Sequence, residues 1–394
     1  MERFSNAVTY LGSHRPERPV FGMRPEAAGR AARWFLQNFP GDVAYAYKAN
    51  SHPLIIGSLY GAGIRHFDVA SLPELEDAAT IPGAILHFMH PVKSRNAIRR
   101  AYSLGVRSFS LDSEEELDKI VEETNGARDL ALSVRLAVPA KNSRLPLERK
   151  FGIAMSKAAP LLLRTRQAAA ELGLTFHVGS QTVTPDAYTL ALAEIGKLIK
   201  RAGVVVDKID VGGGFPSRYS EEAPTPLQHF VDAIKLGFER LPVKETCKLM
   251  CEPGRALVAE AESLIVRIDA RRGNELFIND GGYGALFDAA HLGFAFPVRL
   301  VTGGPRDAAD LMPFELWGPT CDSVDRMKGP FMLPDNVREG DYLELGNLGA
   351  YGRAIAGKFN GYGQYDEVLL GDEPMYSMYR GSNATAVPDP EGVR

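Results

Sequence analysis

Short apolar runs alternate with amphipathic stretches along the chain from residue 25 to about residue 255. The apolar runs have strand-like composition and cover 42–50, 64–71, 84–91, 106–112, 130–138, 174–180, 206–214 and 247–254. Helical patterns fill the intervals, among them 71–80, 113–123, 155–173 and 226–241. Ser113 and Glu116 have the spacing of a capping box at one helix start. Strands that alternate with helices indicate a parallel sheet, and eight such units predict an α/β fold with a (β/α)8 TIM-like barrel.

The pattern changes after residue 255. Apolar runs separated by Gly, Pro and Asn cover 256–272, 275–282, 296–304, 314–321, 341–347 and 366–372. These runs predict antiparallel strands, so the C-terminal third is expected to form a β-barrel or β-sandwich domain. We therefore predict a barrel domain at 25–255 and a C-terminal antiparallel β-domain made of 1–24 and 256–394. The first strand of the second domain is expected to pair with a strand from residues 1–24.

The composition of the chain argues against several classes of function. The chain has 394 residues, 45% of them hydrophobic, and a formal net charge of −4, which gives no reason to expect a nucleic-acid partner. No apolar run approaches the roughly 20 residues of a membrane helix, and the N-terminus lacks the apolar core of a signal peptide. Cys247, Cys251 and Cys321 are too sparse for a disulfide framework, which favours a reducing cytoplasm. No second Cys or His pair accompanies Cys247 and Cys251, so no metal site is expected.

Titratable residues and glycines occupy the ends of the eight predicted barrel strands. In chain order they are Lys48, Asp68, His90, Asp112, Arg135, His177, Gly212–Gly214 and Glu252. Any one of them alone is explained most simply as a solvated loop residue or a core histidine. The active site of a (β/α)8 barrel lies at the carboxyl ends of its strands, so the whole set predicts an active site.

The residue types at these ends point to a chemistry. Lys48 follows an alternating strand and should face the barrel mouth, where desolvation would lower its pKa and make it a nucleophile toward aldehydes. The glycine triplet 212–214 can bring backbone N–H groups to a phosphate, although such a triplet alone is a weak signal, and Arg255 would add a bidentate donor. A Schiff-base lysine with a phosphate site suggests pyridoxal 5′-phosphate. Glu252 could keep the pyridine nitrogen protonated, and His177 could stack on the ring.

These residues lie in motifs that resemble one known family. The motifs are YKAN (47–50), FDVAS (67–71), RKFG (149–152), HVGSQ (177–181), DVGGGFP (210–216), CEPGR (251–255), GPTCDSVD (318–325) and GNLGAYGRAIAGKFNGY (346–362). In this order they resemble the fold-type III pyridoxal-phosphate decarboxylases, the group of ornithine, lysine, diaminopimelate and arginine decarboxylases. The resemblance implies a barrel of the alanine racemase type and covers nearly the whole chain.

The resemblance also implies roles for the cofactor site. Lys48 would hold the cofactor as a Schiff base, Glu252 would pair with the pyridine nitrogen, and His177 would stack on the ring. Phosphate would be held by Ser180, Gly214, Arg255 and Tyr351, with Gly213 and Gly254 among the cofactor-binding residues of the same motifs. Asp68 and Arg135 would support Lys48 and the cofactor from neighbouring strand ends.

The resemblance also implies that the residues that bind the far end of the substrate come from a second subunit. Cys321 would return a proton to the substrate carbon after CO₂ leaves, and Asp322 would bind the distal ammonium. In the family this pair enters the site from the partner, which implies a head-to-tail homodimer with two shared sites. Lys150 and Asp325 match a pair that bridges the subunits.

The motif at Cys321 favours particular substrates. An aspartate at 322, where diaminopimelate decarboxylases have glutamate, favours L-ornithine (giving putrescine, for polyamine supply) or L-lysine (giving cadaverine). The segment after Asp280 matches the family loosely, and Asp288 is our candidate for a second ammonium contact. His90-Pro91 replaces a frequent Asn-Pro, and we assign His90 no role. These departures leave open diaminopimelate and a hydroxylated, N-substituted or D-configured diamino acid.

Other classes with the same barrel are less compatible with the sequence. An alanine racemase would place an arginine at the pyridine nitrogen, where this chain has Glu252. A non-catalytic regulator of the antizyme-inhibitor type would be expected to lose cofactor residues, and Lys48, His177, Arg255, Cys321 and Tyr351 are all present. A small pyridoxal-phosphate homeostasis protein would lack the C-terminal third.

Overall fold

The computed structural model describes residues 1–139, 143–145, 150–219, 224–302 and 306–379. The strands are β1 (Arg3–Phe4), β2 (Val20–Met23), β3 (Asp42–Ala46), β4 (His66–Val69), β5 (Ile85–Phe88), β6 (Ser108–Leu111), β7 (Ala131–Ala137), β8 (Ser143–Leu145), β9 (Ile153–Ala154), β10 (Glu171–Phe176), β11 (Ser180–Thr182), β12 (Lys208–Asp210), β13 (Lys248–Cys251), β14 (Glu262–Arg272), β15 (Glu275–Ile278), β16 (Val298–Val301), β17 (Leu311–Trp317), β18 (Arg326–Pro334), β19 (Tyr342–Leu345) and β20 (Asp366–Leu370).

The helices are α1 (Ala7–Ser13), α2 (Pro25–Asn38), α3 (Pro53–Ala62), α4 (Leu72–Ala78), α5 (Arg95–Ser103), α6 (Glu114–Glu123), α7 (Ala158–Ala168), α8 (Asp186–Ala202), α9 (Leu227–Glu239), α10 (Arg255–Val258), α11 (Phe287–His291) and α12 (Gly352–Ile355). Short 3-10 turns occur at Tyr47–Ala49, Ala259–Ala261 and Phe359–Gly361. None of the helices within the described ranges is long and apolar enough to cross a membrane.

Eight parallel strands close into a barrel, as the sequence predicted. Their order around the barrel is β3, β4, β5, β6, β7, β10, β12 and β13, and β13 returns to pair with β3. Seven of the eight predicted apolar runs contain one of these strands, and the run 174–180 overlaps the end of β10, which begins earlier, at Glu171. The strands are mostly buried on both faces, which explains why they appear in the sequence as short continuous apolar runs.

Helix starts agree with the sequence signals in part. Ser113 is the N-cap of α6, and its side chain accepts the backbone N–H of Glu116 at 3.2 Å. The second half of the predicted capping box is absent, because the Glu116 carboxylate binds the backbone N–H and the ammonium of Lys93 instead. A tertiary ion pair has therefore replaced a local hydrogen bond.

The predicted helix 155–173 is too long at both ends. Helix α7 ends at Ala168, and the helix-forming residues after it begin strand β10 at Glu171. The backbone N–H groups of Ala170 and Glu171 donate to the carbonyl of Leu130, and Glu171 then pairs with Ala131 of β7. Pairing with a neighbouring strand has overridden the intrinsic helix propensity of this segment.

Strands β1, β2 and β14–β20 form a separate, mostly antiparallel sheet, whereas β8 pairs with β11 and β9 pairs with the barrel strand β7. Strand β14 pairs with β2, β15 and β19 in antiparallel fashion, and the pairing with β2 confirms the expected contribution from residues 1–24. The sheet is not wholly antiparallel, because β20 runs parallel to β1 and β2, and β15 runs parallel to β17. The division of the chain at residues 24 and 255 stays a prediction.

Two parts of this sheet differ from the sequence expectation. The predicted strand 256–272 begins as helix α10 and a 3-10 turn, and it becomes a strand only at Glu262. Strand β18 was not predicted, because Gly329-Pro330 in its middle resembles a turn. It pairs with β17 across a register shift between Phe314 and Leu316, which accommodates the irregular backbone.

A buried ion pair holds two strand-end loops of the barrel together. The side chain of Lys93 has no exposed surface, and its Nζ lies 2.9 Å from Glu116 Oε1. The same ammonium donates to the carbonyls of His90 at 2.9 Å and Ser110 at 2.6 Å. Burial lowers the pKa of Lys93 to about 8, although Glu116 opposes the shift. The pair thereby fixes the loop that carries His90.

We predict that Glu116→Ala destabilises the protein by about 3–5 kcal/mol, because it leaves the Lys93 ammonium buried without its counter-charge. Glu76→Ala is the matched control, since it removes a carboxylate whose pair with Arg100 is about half exposed. The free energy of unfolding in urea, followed by circular dichroism, compares the two. An equal loss in both variants would contradict the assigned role of the buried pair.

Candidate active site

One cavity of about 490 Å³ opens at the carboxyl ends of the barrel strands. Every predicted cofactor-binding residue lines it: Lys48, Asp68, Arg135, His177, Ser180, Gly213, Gly214, Glu252, Gly254, Arg255 and Tyr351. His90, Lys150 and Asp288 line it too. Asp112 and Gly212 are the exceptions among the strand-end residues. The Asp112 carboxylate accepts the backbone N–H of Gly152 at 2.8 Å, so it shapes a loop and does not face the cavity.

Lys48 lies in the 3-10 turn that directly follows β3. Its Nζ is 2.5 Å from Asp68 Oδ2, and its side chain is 43% exposed to the cavity. Burial lowers the pKa of Lys48, but the Asp68 carboxylate, with Tyr351 and Glu252 beyond it, raises the pKa above its ordinary value. The expectation of a lowered pKa is therefore wrong here, because a carboxylate in contact outweighs desolvation.

Glu252 lies buried just beyond the end of β13. Burial raises its pKa well above the ordinary range, and the nearby carboxyls of Asp210 and Asp68 add to the effect while Lys48 opposes it. Within the described structure its Oε1 atom is buried and has no hydrogen-bond partner. Such an atom costs free energy unless a ligand satisfies it, and a protonated ring nitrogen would do so. The residues present therefore fit a pyridinium ring.

His177 lies on the same wall in its neutral form. Burial lowers its pKa to about 3, and the charges of Arg135 and Lys48 add to the shift. Its Nδ1 accepts the backbone N–H of Gly179 at 3.0 Å, which places the ring proton on Nε2. A neutral imidazole held by its backbone in this way can stack on an aromatic ring without adding charge.

The glycine triplet forms a backbone cradle next to this wall. A Cβ on Gly213 would lie 2.7 Å from the carbonyl oxygen of Glu252, and one on Gly214 would lie 2.5 Å from that of Gly179. Gly214 also has a φ of +110°, which side-chain-bearing residues rarely adopt. Only glycine fits both positions, and its small size brings the backbone to the cavity surface, as a phosphate site needs.

Arg255 closes the other side of the cradle. It is buried, and it donates to Asp288 at 2.8 Å and to the Tyr219 hydroxyl at 3.0 Å, with Ser180 Oγ 3.5 Å away. The rings of Phe294 and Tyr351 flank the guanidinium at 4.8 and 4.9 Å. Nearby phenol and carboxyl groups raise its pKa further above the ordinary value despite burial, so the guanidinium is a permanent cation that suits a phosphate.

Asp288 lies in the cavity wall on α11, but its carboxylate is engaged by Arg255. A carboxylate that is already neutralised by a buried guanidinium is a poor partner for a substrate ammonium. The role of Asp288 as a second ammonium contact stays a prediction, and this geometry does not favour it.

Cys321 and Asp322 do not lie in the cavity of their own chain. They line a second surface pocket beside Trp317 and Tyr362. Cys321 Sγ is 3.3 Å from Asn360 Oδ1. The Asp322 carboxylate accepts the hydroxyl of Tyr283 at 2.5 Å, which holds its pKa below the ordinary value.

The predicted pair of Lys150 and Asp325 is also separated within one chain. Lys150 is exposed at the cavity, whereas Asp325 is buried and accepts hydrogen bonds from Gly282 N at 2.6 Å and Thr320 Oγ1 at 2.6 Å. The Asp325 carboxylate is thus occupied by its own chain. A bridge between subunits through this pair stays a prediction, and these hydrogen bonds compete with it.

Several site residues were not predicted from the sequence. Asp210 contacts Glu252, and Tyr219 binds Arg255. Met89, Phe151 and Ile355 complete the apolar wall of the cavity. Asp210 opens the DVGGGFP motif, so its position beside the glycines was an available signal. No group of three His, Cys, Asp or Glu side chains in the described part of the chain could hold a metal ion.

Comparisons with known proteins agree with this geometry. The family model for the pyridoxal binding domain of pyridoxal-dependent decarboxylases matches residues 27–259. The chain is 30% identical to the lysine/ornithine decarboxylase of Selenomonas ruminantium over 85% of both proteins. It is 32% identical to the diaminopimelate decarboxylase of Pseudomonas aeruginosa over 90% of this chain and 87% of that protein.

A solved structure shows the same architecture. The arginine decarboxylase of Paramecium bursaria Chlorella virus, bound to agmatine, superposes with a TM-score of 0.81 at 25% identity, over 92% of this chain and 98% of that one. The matched model spans more than half of the sequence, and the relatives extend over both parts of the fold. The chain therefore belongs to the pyridoxal-dependent decarboxylases, as its motifs predicted, and its cofactor is pyridoxal 5′-phosphate.

Proposed function

We propose that this decarboxylase acts on a basic L-amino acid, L-ornithine or L-lysine, in active sites shared between two subunits. One observation carries the proposal. The described lining of the cavity contains a complete set of candidate cofactor residues, yet each of its acidic side chains is committed, Asp68 to Lys48, Asp288 to Arg255, and Glu252 to the ring position. A distal ammonium therefore needs a carboxylate from outside this chain, and the partner subunit's Asp322 is the candidate.

Different residues of the chain would hold different parts of the cofactor. Bound pyridoxal phosphate supplies an aldehyde for the amine and a ring that delocalises the electron pair released with CO₂. Lys48 holds the aldehyde end, and Asp68 receives its ammonium proton at 2.5 Å when the amine becomes neutral. Glu252 would accept the ring N–H, and His177 would cover the ring face. The cradle of Gly213 and Gly214, with Arg255, Ser180 and Tyr351, binds the phosphate.

The partner's residues complete the substrate end. The partner subunit's Asp322 is prepared as an anion by the Tyr283 hydroxyl, and an anion is the group that a distal ammonium requires. The partner subunit's Cys321 carries an exposed thiol that delivers the proton to the carbon that has lost CO₂. The relative from Selenomonas ruminantium is a lysine/ornithine decarboxylase, which supports the same substrate class here.

A second candidate, diaminopimelate, is suggested by the cations on the cavity wall. Arg135 and Lys150 both line the cavity, and Lys150 is exposed there. A substrate with a distal carboxylate beside its ammonium would pair with Lys150, whereas ornithine and lysine have no such group. Diaminopimelate carries that carboxylate, and one relative is a diaminopimelate decarboxylase.

We expect purified, cofactor-loaded protein to release CO₂ and putrescine or cadaverine from L-ornithine or L-lysine. The panel also includes D-ornithine, D-lysine, L-arginine and meso-diaminopimelate, with Lys48→Ala as the inactive control. Release of lysine from diaminopimelate alone would replace the first candidate by the second. Lys150→Met then separates the two, because it should raise the KM for a distal carboxylate about tenfold or more and leave that for ornithine nearly unchanged.

We expect mixed subunits to regain activity if the site is shared. Lys48→Ala and Cys321→Ala should each be inactive as homodimers. After the two variants exchange subunits, half of the dimers are hybrids with one intact site, so about a quarter of wild-type activity should return. No recovery, with hybrid dimers verified by distinct affinity tags, would show that each chain builds its site alone.

We expect Gly213→Ala to weaken cofactor binding at least about tenfold, because its Cβ would lie 2.7 Å from the carbonyl of Glu252 and 3.2 Å from His177 Nε2. Gly57→Ala in α3 is the matched control, since nothing lies within 4 Å of its added methyl group. The dissociation constant for pyridoxal phosphate, from absorbance titration, compares them. If Gly213→Ala binds pyridoxal phosphate with wild-type affinity, the glycine triplet is not part of the phosphate site.

A further inference from the structure

We propose that Asp210 and Glu252 share one proton, and that Asp210 holds the negative charge that keeps the cofactor's ring nitrogen protonated. Asp210 is thus a positioning residue that acts through Glu252. The inference rests on the proposed pairing of Glu252 with the ring. It adds a second carboxyl, behind the first, to the part of the site that makes the ring an electron sink.

The fold forces the two carboxyls together. Asp210 ends β12, and Glu252 follows the end of β13, its parallel neighbour. The backbone N–H of Glu252 donates to the carbonyl of Gly212 at 2.8 Å, which aligns the two strand ends. The two carboxyls interact directly, and only 0% and 6% of the two residues is exposed. Two buried carboxyls in contact cannot both be ionised near neutral pH, so a proton lies between them.

The hydrogen bonds decide which carboxyl is charged. Asp210 Oδ1 accepts the backbone N–H of Gly212 at 2.9 Å, and Oδ2 accepts the hydroxyl of Thr175 at 3.1 Å. The ammonium of Lys208 also stabilises a negative charge there. No described residue donates a hydrogen bond to Glu252 Oε1, and Asp68 repels a charge on Glu252 more strongly than Lys48 attracts one. The negative charge therefore lies on Asp210, and Glu252 carries the proton and donates it to Asp210.

The other ionisable neighbours fit this arrangement. Lys48 and Asp68 face Glu252 from the cavity side and form their own ion pair. Cys251 lies behind, and its pKa is raised by burial and by the two carboxyls, so the thiol stays neutral. His177 is neutral as well. No other charge in this group competes with Asp210 as the counter-ion of a protonated ring.

The arrangement has a chemical consequence for the ring. The neutral Glu252 would accept the ring N–H, while the charge of Asp210 would balance the pyridinium. Without Asp210, Glu252 and the ring hold one proton between them, and burial favours the neutral form with that proton on Glu252. The ring would then lose its proton and withdraw electrons less strongly.

The test is the protonation of the ring nitrogen in intact holoenzyme. Protein loaded with pyridoxal phosphate labelled with ¹⁵N in the ring is measured by NMR from pH 6 to 9, since the ¹⁵N shift distinguishes the two forms. We expect a protonated ring in wild type and an unprotonated ring in Asp210→Asn at neutral pH. We also expect kcat to fall about ten- to a hundredfold, as when outer partners of active-site ligands are lost, with KM unchanged.

Asp341→Asn is the matched control. Asp341 is also buried and hydrogen-bonded, to Arg306 at 2.6 Å and to the backbone of Arg338 at 2.8 Å, but it lies in the β-domain. The ring nitrogen of the cofactor in Asp341→Asn should keep the ¹⁵N shift of the wild-type holoenzyme. An Asp210→Asn holoenzyme that also keeps this shift overturns the inference.

Two variants of Glu252 separate the role of Asp210 from the pairing of Glu252 with the ring. Glu252→Gln keeps the acceptor and the donor of a neutral glutamic acid, so we expect its ring to stay protonated; an unprotonated ring in Glu252→Gln with a protonated ring in Asp210→Asn rejects the role of Asp210 alone. Glu252→Leu removes both hydrogen bonds, and a protonated ring with wild-type cofactor affinity in Glu252→Leu rejects the proposed pairing of Glu252 itself.

A measurement on wild type keeps the inference testable if Asp210→Asn does not fold. Infrared difference spectra between wild-type and Glu252→Gln holoenzyme, both with ¹³C-labelled glutamate, should show the carbonyl band of a protonated glutamic acid that only wild type has. The difference removes the contribution of Glu262, whose pKa burial raises to about 7. A difference spectrum without the band overturns the inference, because Glu252 would then be the anion.

Discussion

The pairing of β13 with β3 is the contact on which the active site depends, because it closes the barrel. Cys251 lies opposite Val43 in that pairing, and the backbone N–H of Ala46 donates to the carbonyl of Pro253 at 3.3 Å. The first and last strand ends therefore meet, and Lys48 comes to lie near Glu252 although about two hundred residues separate them in the sequence. An open sheet of the same strands would leave these two groups at opposite edges.

Closure of the barrel also brings charged side chains close together at the strand ends, where buried charges need partners of opposite sign. Three buried carboxylates each have a cationic partner: Lys48 lies beside Asp68, Arg255 beside Asp288, and Lys93 beside Glu116. Glu252 lines the cavity, and its buried Oε1 has no hydrogen-bond partner among the described residues. A site that leaves one buried polar atom unsatisfied is less stable than one that satisfies all, and a ligand that supplies the missing bond recovers that free energy.

Periodicity and local chemistry in the sequence were enough to predict the eight strands, the mouth-facing Lys48 and the glycine cradle. They could not predict the end of α7, because the pairing of Glu171 with Ala131 decides it. Strand-end position cannot reveal side-chain direction, so Asp112 was grouped with residues that face the cavity. The engagement of Asp288 by Arg255 depends on contact between α10 and α11, and the raised pKa of Lys48 depends on Asp68 in a neighbouring strand. Such side-chain pairings can be recognised only when the three-dimensional positions of the residues are known.

The two ends of the site come from different parts of the fold, and this has a consequence for specificity. The groups that would hold the cofactor project mainly from barrel strands, whose registers are fixed by closure and cannot shift singly. In the proposed shared site, the substrate end would be built from α11 and from the loop that carries Cys321 and Asp322 of the partner subunit, and these segments belong to the second sheet and its connections. Changes in those segments alter the substrate wall without disturbing the ring of strand ends. Substrate range can therefore vary among proteins with one cofactor site, as the lysine/ornithine, arginine and diaminopimelate decarboxylases similar to this chain illustrate.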